Sequence, residues 1–348
     1  MTKGGSATRP LVALTMGDPS GVGPEVLVRA LSDPMVGECC RPLVLGDLTA
    51  LERAARLVDV ALPFRPVGDV NEIRPGEGGI PVFRPSRLEE GQIPYGRPSV
   101  EACRATIGYI EAAVHLALEG RVAAVVTGPI NKEALHRSGF SFPGHTEFLQ
   151  HLCGTPRVVM MLAGPRLRVA LVTIHCALRE VPERLTAAAV EETIRITLEA
   201  LRRDFGIPRP RLAVAGVNPH AGEAGRFGTE EKELIEPVVR SLDAVCGPGC
   251  VLGPYPPDTV FTRAYHGEFD AVVAMYHDQG LIPVKLVHFD EAVNVTLGLP
   301  IVRTSVDHGT AYDIAGQGKA RASSLIHAVR TAVSMARFRS LGQAGIPG

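Results

Sequence analysis

Eight short runs of this chain are apolar almost from end to end: "LVALTMGD" (11–18), "RPLVLGD" (41–47), "RVAAVVTGP" (121–129), "RVVMMLAG" (157–164), "LRVALVTIH" (167–175), "RLAVAGVNPH" (211–220), "FDAVVAMYH" (269–277) and "AVNVTLGLP" (292–300). A strand with one wet face alternates apolar and polar residues, whereas a strand buried on both faces does not alternate. Between several of the runs lie helical patterns, "VEACRATIGYIEAAVHLALEG", "TAAAVEETIRITLEALRRDFG" and "TEEKELIEPVVRSLDAVCG", each ending at or near the glycine that favours helix termination. Strands of this kind alternating with helices predict an α/β fold, with a largely parallel sheet covered on both faces.

The length of 348 residues suits two domains, or one large α/β unit. The Pro- and Gly-rich segment 62–98 is expected to be irregular with short strands, and the last ten residues to fray. Apolar residues make up 45% of the chain and charged residues 21%, which excludes disorder, and a net charge of -1 without a basic block excludes nucleic acid or a membrane surface as partner. The amino terminus has only about five apolar residues in a row, too few for a signal peptide or anchor. Seven scattered cysteines, without CxxC spacing, suit reduced thiols in a cytoplasm.

In parallel α/β sheets ligands bind outside the carboxyl ends of the strands. Three of the runs finish on histidine, at His175, His220 and His277. A single histidine there is most simply a satisfied structural residue; three at one expected edge point to a divalent metal with open coordination positions. Asp278 follows His277 directly, and side chains adjacent on a strand face opposite ways, so it is a weak candidate to orient the imidazole.

"MGDPSGVGPE" follows the first strand but lacks the third glycine of GxGxxG, so it reads as a strand-to-helix turn with exposed amides rather than a dinucleotide fingerprint. "VTGPINK" places Lys132 in a first helical turn, useful for an anion or merely solvated. "GHTEFL" places His145 and Thr146 before a helical pattern, with Thr146 either a helix cap or a ligand group. Lys285, Asn294 and Arg303 follow at intervals of nine, suited to a phosphate or carboxylate or else to the surface.

Taken in order, "TMGDPSGVGPE", "VTGPINK", "GHTEFL", "NPHAGEAGRFGTEE", "GPYPPDTVF", "YHDQG" and "VNVTLGLPIVRTSVDHGTAYDIAGQG" closely resemble the 4-hydroxythreonine-4-phosphate dehydrogenase (PdxA) family over about residues 11–330. The resemblance implies a fold like that of the isocitrate and isopropylmalate dehydrogenases, α/β with two α/β/α domains and a cleft between them, 1–140 with 300–348 forming a discontinuous first domain and 141–299 the second. It makes His175, His220 and His277 the ligands of one divalent metal, with zinc, cobalt, manganese and magnesium all open. Substrate contacts carry over to His145, Thr146, Lys285, Asn294 and Arg303, with Lys285 and Asp258 as catalytic candidates. The stretch 307–318 resembles the cofactor loop of those dehydrogenases, placing NAD, with NADP left open, at His308, Gly309, Asp313 and Gly316. The resemblance also implies a cytoplasmic homodimer whose site is shared between subunits.

The activity implied is oxidation of 4-phosphooxy-L-threonine and decarboxylation to 3-amino-2-oxopropyl phosphate, in pyridoxal 5'-phosphate biosynthesis. A close alternative is a D-erythronate or D-threonate 4-phosphate dehydrogenase of sugar-acid catabolism. Rivals of other classes are a metal-dependent lyase that does not consume NAD, a phosphate acyltransferase of related fold that needs no metal, and a metabolite sensor.

Overall fold

The computed structural model describes residues 9–344 apart from Pro75 and Pro143. The terminal residues, on which part of the leader and fraying expectations fell, lie outside that range; the last helix, Ser323–Ala344, already takes in the first residues of the tail. Among the described residues twelve strands alternate with helices: β1 (Leu11–Thr15), β2 (Arg41–Leu45), β3 (Phe64–Val67), β4 (Ile80–Phe83), β5 (Ala124–Thr127), β6 (Val159–Ala163), β7 (Arg168–Leu171), β8 (Leu212–Ala215), β9 (Val251–Tyr255), β10 (Ala271–Ala274), β11 (Val293–Leu297) and β12 (Arg303–Ser305).

The chain divides into two compact units, one running to Gly154 and resuming at Pro300–Ala336, the other comprising Thr155–Leu299 and the chain from Arg337. A boundary expected near 140 falls after Gly154, beyond the helix His145–Leu152, whose first residue bonds to Arg303 of the same unit. Arg339 lies with the second unit, where it meets the fully buried carboxylate of Asp204 at 2.6 Å.

In the first unit the strands run β3-β4-β2-β1-β5-β12, all parallel. Val12, Leu14, Leu43, Leu45, Val125 and Val126 are wholly buried, as expected of strands covered on both faces. The long helix Val100–Leu118 is started by Ser99, whose hydroxyl accepts from the Ala102 amide at 3.0 Å. The segment 62–98 is indeed short strands, β3 and β4, joined by irregular chain and single helical turns.

The second unit has the order β11-β6-β7-β10-β8-β9. Here the sheet is mixed: β6 is antiparallel to both β11 and β7, while β7, β10, β8 and β9 are parallel. Only four residues separate β6 from β7, with the Gly164 amide bonded to the Leu167 carbonyl at 2.9 Å, and a connection so short can only turn back. The core gathers Leu162, Val169, Leu171, Ala213, Val260, Val272, Leu281 and Val284. Among the described residues no disulfide links the cysteines, and no helix is long and apolar enough to cross a membrane.

Candidate active site

In the second unit the loops that carry the three histidines leave β7, β10 and β8, neighbours in the sheet whose carboxyl ends share one edge. The loop after β7 is tied to the end of β10: Thr173 donates from its amide and from its hydroxyl to the Met275 carbonyl, at 3.1 and 2.8 Å. This brings the rings of His175 and His277 to 5.6 Å between centroids.

His277 does not end a strand, as the sequence suggested. It is the first residue of the helix His277–His288, because Gln279 turns back, accepting from the Met275 amide at 2.7 Å and donating to the Gly216 carbonyl at 2.7 Å. Gly280 lets this helix settle on the sheet: a β-carbon there would come within 2.7 Å of Val169 and Leu171. The helical turn also corrects the expectation for Asp278, whose carboxylate oxygen lies 2.7 Å from His277 Nδ1. A carboxylate on Nδ1 fixes the tautomer and leaves Nε2 as the donor atom for a metal.

His220 stands in a left-handed turn, with positive φ at each residue from His220 to Ala224, and its ring is 6.3 Å from that of Phe227. Among the described residues no three His, Cys, Asp or Glu side chains close to metal-coordinating distance. The donor chemistry nonetheless fits a divalent transition metal: three imidazoles on adjacent loops, one already oriented by a carboxylate. Lys285 lies eight residues along the helix from His277, about 12 Å at 1.5 Å per residue. Asp258 is exposed in the first turn of the helix after β9. Asn294 is not at the histidine edge; it sits near the amino end of β11, level with Leu162 on β6.

The first unit holds a second group of candidates. Arg303, 2% exposed at the start of β12, donates to Thr127 Oγ1 at 2.7 Å and to His145 Nδ1 at 3.1 Å. A guanidinium can only donate, so Nδ1 accepts and the neutral ring carries its proton on Nε2. That Nε2 is buried and, among the described residues, has no partner. Burial, then Arg303 and Lys132, hold the His145 imidazole well below its ordinary pKa. Burial pushes the Arg303 guanidinium down to about 9, which leaves it charged at neutral pH. The Lys132 ammonium lies against Gly144, beside His145. Thr146 is not the helix cap, a position held by Gly144; it stands half-buried in the first turn.

The loop 307–318 rests on "MGDPSGVGPE", whose amides are not exposed as expected. Asp18 N bonds to the Pro129 carbonyl at 2.9 Å, Ser20 N to Asp18 Oδ1 at 2.8 Å and Val22 N to the Thr310 carbonyl at 2.9 Å. Two buried carboxylates, missed from the sequence, hold the loop: Asp18 accepts from the Tyr312 hydroxyl, and Glu25 accepts from the Gly316 amide at 2.6 Å. Burial raises the Asp18 carboxyl, against the Tyr312 and Ser20 bonds, and burial with Asp18 raises the Tyr312 phenol. The signal was two acids among the glycines and prolines of that turn. His308, Gly309 and Asp313 are exposed, whereas Gly316 is committed to packing, since a β-carbon there would overlap the Tyr95 ring.

A family model described as "Pyridoxal phosphate biosynthetic protein PdxA" matches residues 38–332. The chain belongs to the PdxA family. It is 50% identical to a 4-hydroxythreonine-4-phosphate dehydrogenase of Geobacter metallireducens over 340 residues, 96% of this chain and 98% of that one. It is 47% identical to a D-threonate 4-phosphate dehydrogenase of Cupriavidus necator, covering 95% and 98%. The crystal structure of the Klebsiella pneumoniae 4-hydroxythreonine-4-phosphate dehydrogenase superposes with a TM-score of 0.86 at 42% identity, over 95% of this chain and 99% of that one. The α/β fold is thus the PdxA fold, and the chain is a dehydrogenase.

Proposed function

We propose that this PdxA-family chain is an NAD-dependent, divalent-metal-dependent dehydrogenase that oxidises 4-phosphooxy-L-threonine at its secondary alcohol, the β-keto acid formed then losing its carboxylate to give 3-amino-2-oxopropyl phosphate. The observation that carries the reading is the buried His145–Arg303 pair with an unpaired Nε2–H and Lys132 beside it. A buried donor without an acceptor is costly, and an anionic oxygen removes that cost. Arg303 would hold the phosphate or carboxylate through charge-assisted bonds, with His145 Nε2–H and Thr146 fixing its orientation. Lys285 and Asn294 would complete substrate binding, and Asp258 with Lys285 are the candidates to move protons.

His175, His220 and His277 would hold the metal, and Asp278 keeps His277 in the tautomer whose Nε2 is available. Bound there, a divalent ion would supply Lewis acidity toward a substrate oxygen, and NAD would supply the hydride acceptor. The exposed His308, Gly309 and Asp313, on a loop braced by Asp18 and Glu25, would bind NAD. Two features support a homodimer with a shared site: Asn294 lies away from the histidine edge, and the helix His277–His288 and its end expose Ile282 (65%), Leu286 (82%) and Phe289 (71%). Relatives named for D-threonate 4-phosphate make a sugar-acid phosphate the second reading.

The test is NADH formation with 4-phosphooxy-L-threonine, D-erythronate 4-phosphate and D-threonate 4-phosphate, each with and without chelator, alongside sedimentation velocity. Chelator-sensitive turnover of the first substrate by a dimer is expected. Preference for a sugar-acid phosphate selects the second reading, and no NADH from any of them removes the dehydrogenase assignment to these substrates.

A further inference from the structure

The turn that carries His220 is an improbable piece of backbone. His220, Ala221, Glu223 and Ala224 all have positive φ, between 42° and 58°, with Gly222 at 78° among them. Residues with a β-carbon avoid this region, and a run of them persists only where the surroundings dictate it. Apolar burial does not dictate it: of the five residues only Gly222 is buried, and an open cavity of about 480 Å³ lies against Ala221, Ala224 and Gly225.

Two neighbouring carboxylates grip the chain that enters this turn: Glu230, whose Oε2 accepts from Asn218 Nδ2 at 2.7 Å, and Glu231, which also takes backbone amides of that chain. Glu231, 4% exposed, begins a π-helical turn, Glu231–Ile235. Its Oε1 accepts from the Val217 amide at 2.8 Å and the Asn218 amide at 2.7 Å, and its Oε2 from Asn218 Nδ2 at 3.0 Å. Two glycines make room for it: a β-carbon on Gly216 would come within 2.9 Å of Oε1, and one on Gly222 within 2.7 Å of Oε2. The carboxylate therefore bonds the chain just before the left-handed turn and packs against its centre. Only a carboxylate serves all three donors, because it accepts at both oxygens whereas an amide accepts at one.

We propose that Glu231 is the positioning residue for His220, its buried carboxylate fixing the turn on which that histidine stands. The inference rests on the proposed metal role of His175, His220 and His277. It is tested on the purified, metal-free full chain by calorimetric titration with zinc and by the cobalt absorption spectrum, with thermal unfolding of the metal-free protein in parallel. Wild type is expected to bind one ion per chain and His220→Ala to lose tight binding. Glu231→Ala should bind about 10- to 100-fold more weakly, with an altered cobalt spectrum. Glu231→Gln keeps an acceptor for the two amides but sets an NH2 against Asn218 Nδ2, and should fall between. If Glu231→Ala does not fold, Glu231→Gln decides alone: weaker binding by a folded variant supports the role. Wild-type affinity in the folded Glu231 variants overturns this inference and leaves the metal assignment standing. A wild-type chain that binds no ion overturns the metal assignment and this inference with it.

Discussion

Replacing Arg303 by methionine, of similar length and no charge, separates a binding group from a structural one. In the free protein the exchange removes, among the guanidinium's contacts, the hydrogen bonds to Thr127 at 2.7 Å and His145 at 3.1 Å, which with a charged donor are worth about 1.5 to 3 kcal/mol each. Against this, it removes a 2% exposed charge that burial disfavours, as the depressed guanidinium records. The two effects oppose one another, so the stability change should stay within about 2 kcal/mol. Binding has no such offset. If Arg303 meets the anionic group of the substrate, deleting one partner of a desolvated charge pair costs about 3 to 4 kcal/mol, or roughly 10²- to 10³-fold in kcat/KM.

Initial NADH rates with substrate and NAD varied separately, together with a thermal melt, read both quantities. The expected signature is a melt close to wild type, a large loss in kcat/KM for the phosphorylated substrate and a small change in KM for NAD. A Tm collapse with equal losses for both ligands would refute the reasoning by making Arg303 a core strut. His145 supplies a pH check. Its imidazole is held low mainly by burial, so the unfolded chain binds the extra proton as pH falls below about 6.5. The contribution is complete above that pH and is lost on acidification, by at most about 1.4 kcal/mol per pH unit. Removing Arg303 removes one cause of the depression, so in the variant the loss should begin at the same pH, end at a higher pH and be smaller in total.

Lys285→Ala should raise KM for the phosphorylated substrate far more than KM for NAD; equal changes would contradict its placement against the substrate. Glu25→Ala leaves the Gly316 amide without its 2.6 Å acceptor and should raise KM for NAD about tenfold while KM for substrate stays within about twofold, as steady-state rates will show. Asp204→Asn breaks the bonds to Arg203 and Arg339, at 2.8 and 2.6 Å, and should destabilise by about 3 kcal/mol, seen as a fall in Tm of roughly 6 to 12 °C. Burial alone would raise this carboxyl, but Arg339 and Arg203 hold it below its ordinary value. The wild-type advantage over Asp204→Asn should therefore be full at neutral pH and shrink below about pH 4.

The strands were legible because burial on both faces leaves a continuous apolar run, and β1, β2, β5, β7, β8 and β10 are such runs. Their direction was less legible: "RVVMMLAG" looks like its parallel neighbours although β6 runs against them, and the clue was the four residues between β6 and β7. At "YHDQG" the apolar run hid a change from strand to helix, since Pro283 inside the following segment argues against a helix and only the folded-back Gln279 shows how it starts. His145 was visible as a candidate, but its partner Arg303 lies 158 residues away, a pairing no local pattern could express. The left-handed turn at His220 contradicts the preferences of four of its five residues, so propensity had to fail there.

The residues hidden from the sequence share one physical role. Asp18 and Glu25 in the first unit and Glu231 in the second are buried carboxylates that accept from backbone amides or a phenol at loops beyond strand ends. The exposed groups on or beside those loops, Asp313 in one case and His220 in the other, are the ones proposed to meet ligands, and a polar atom that meets a ligand is not available to hold the backbone. Rigidity then has to come from behind, from acceptors that are themselves shielded from water, where a hydrogen bond is electrostatically stronger. The glycines around them follow from the same requirement: Gly216 and Gly222 give the Glu231 carboxylate the space to reach main-chain donors, and a side chain at either would displace it. In "NPHAGEAGRFGTEE" the histidine is thus one end of a device whose other end, eleven residues later, is the acid that holds its backbone in place.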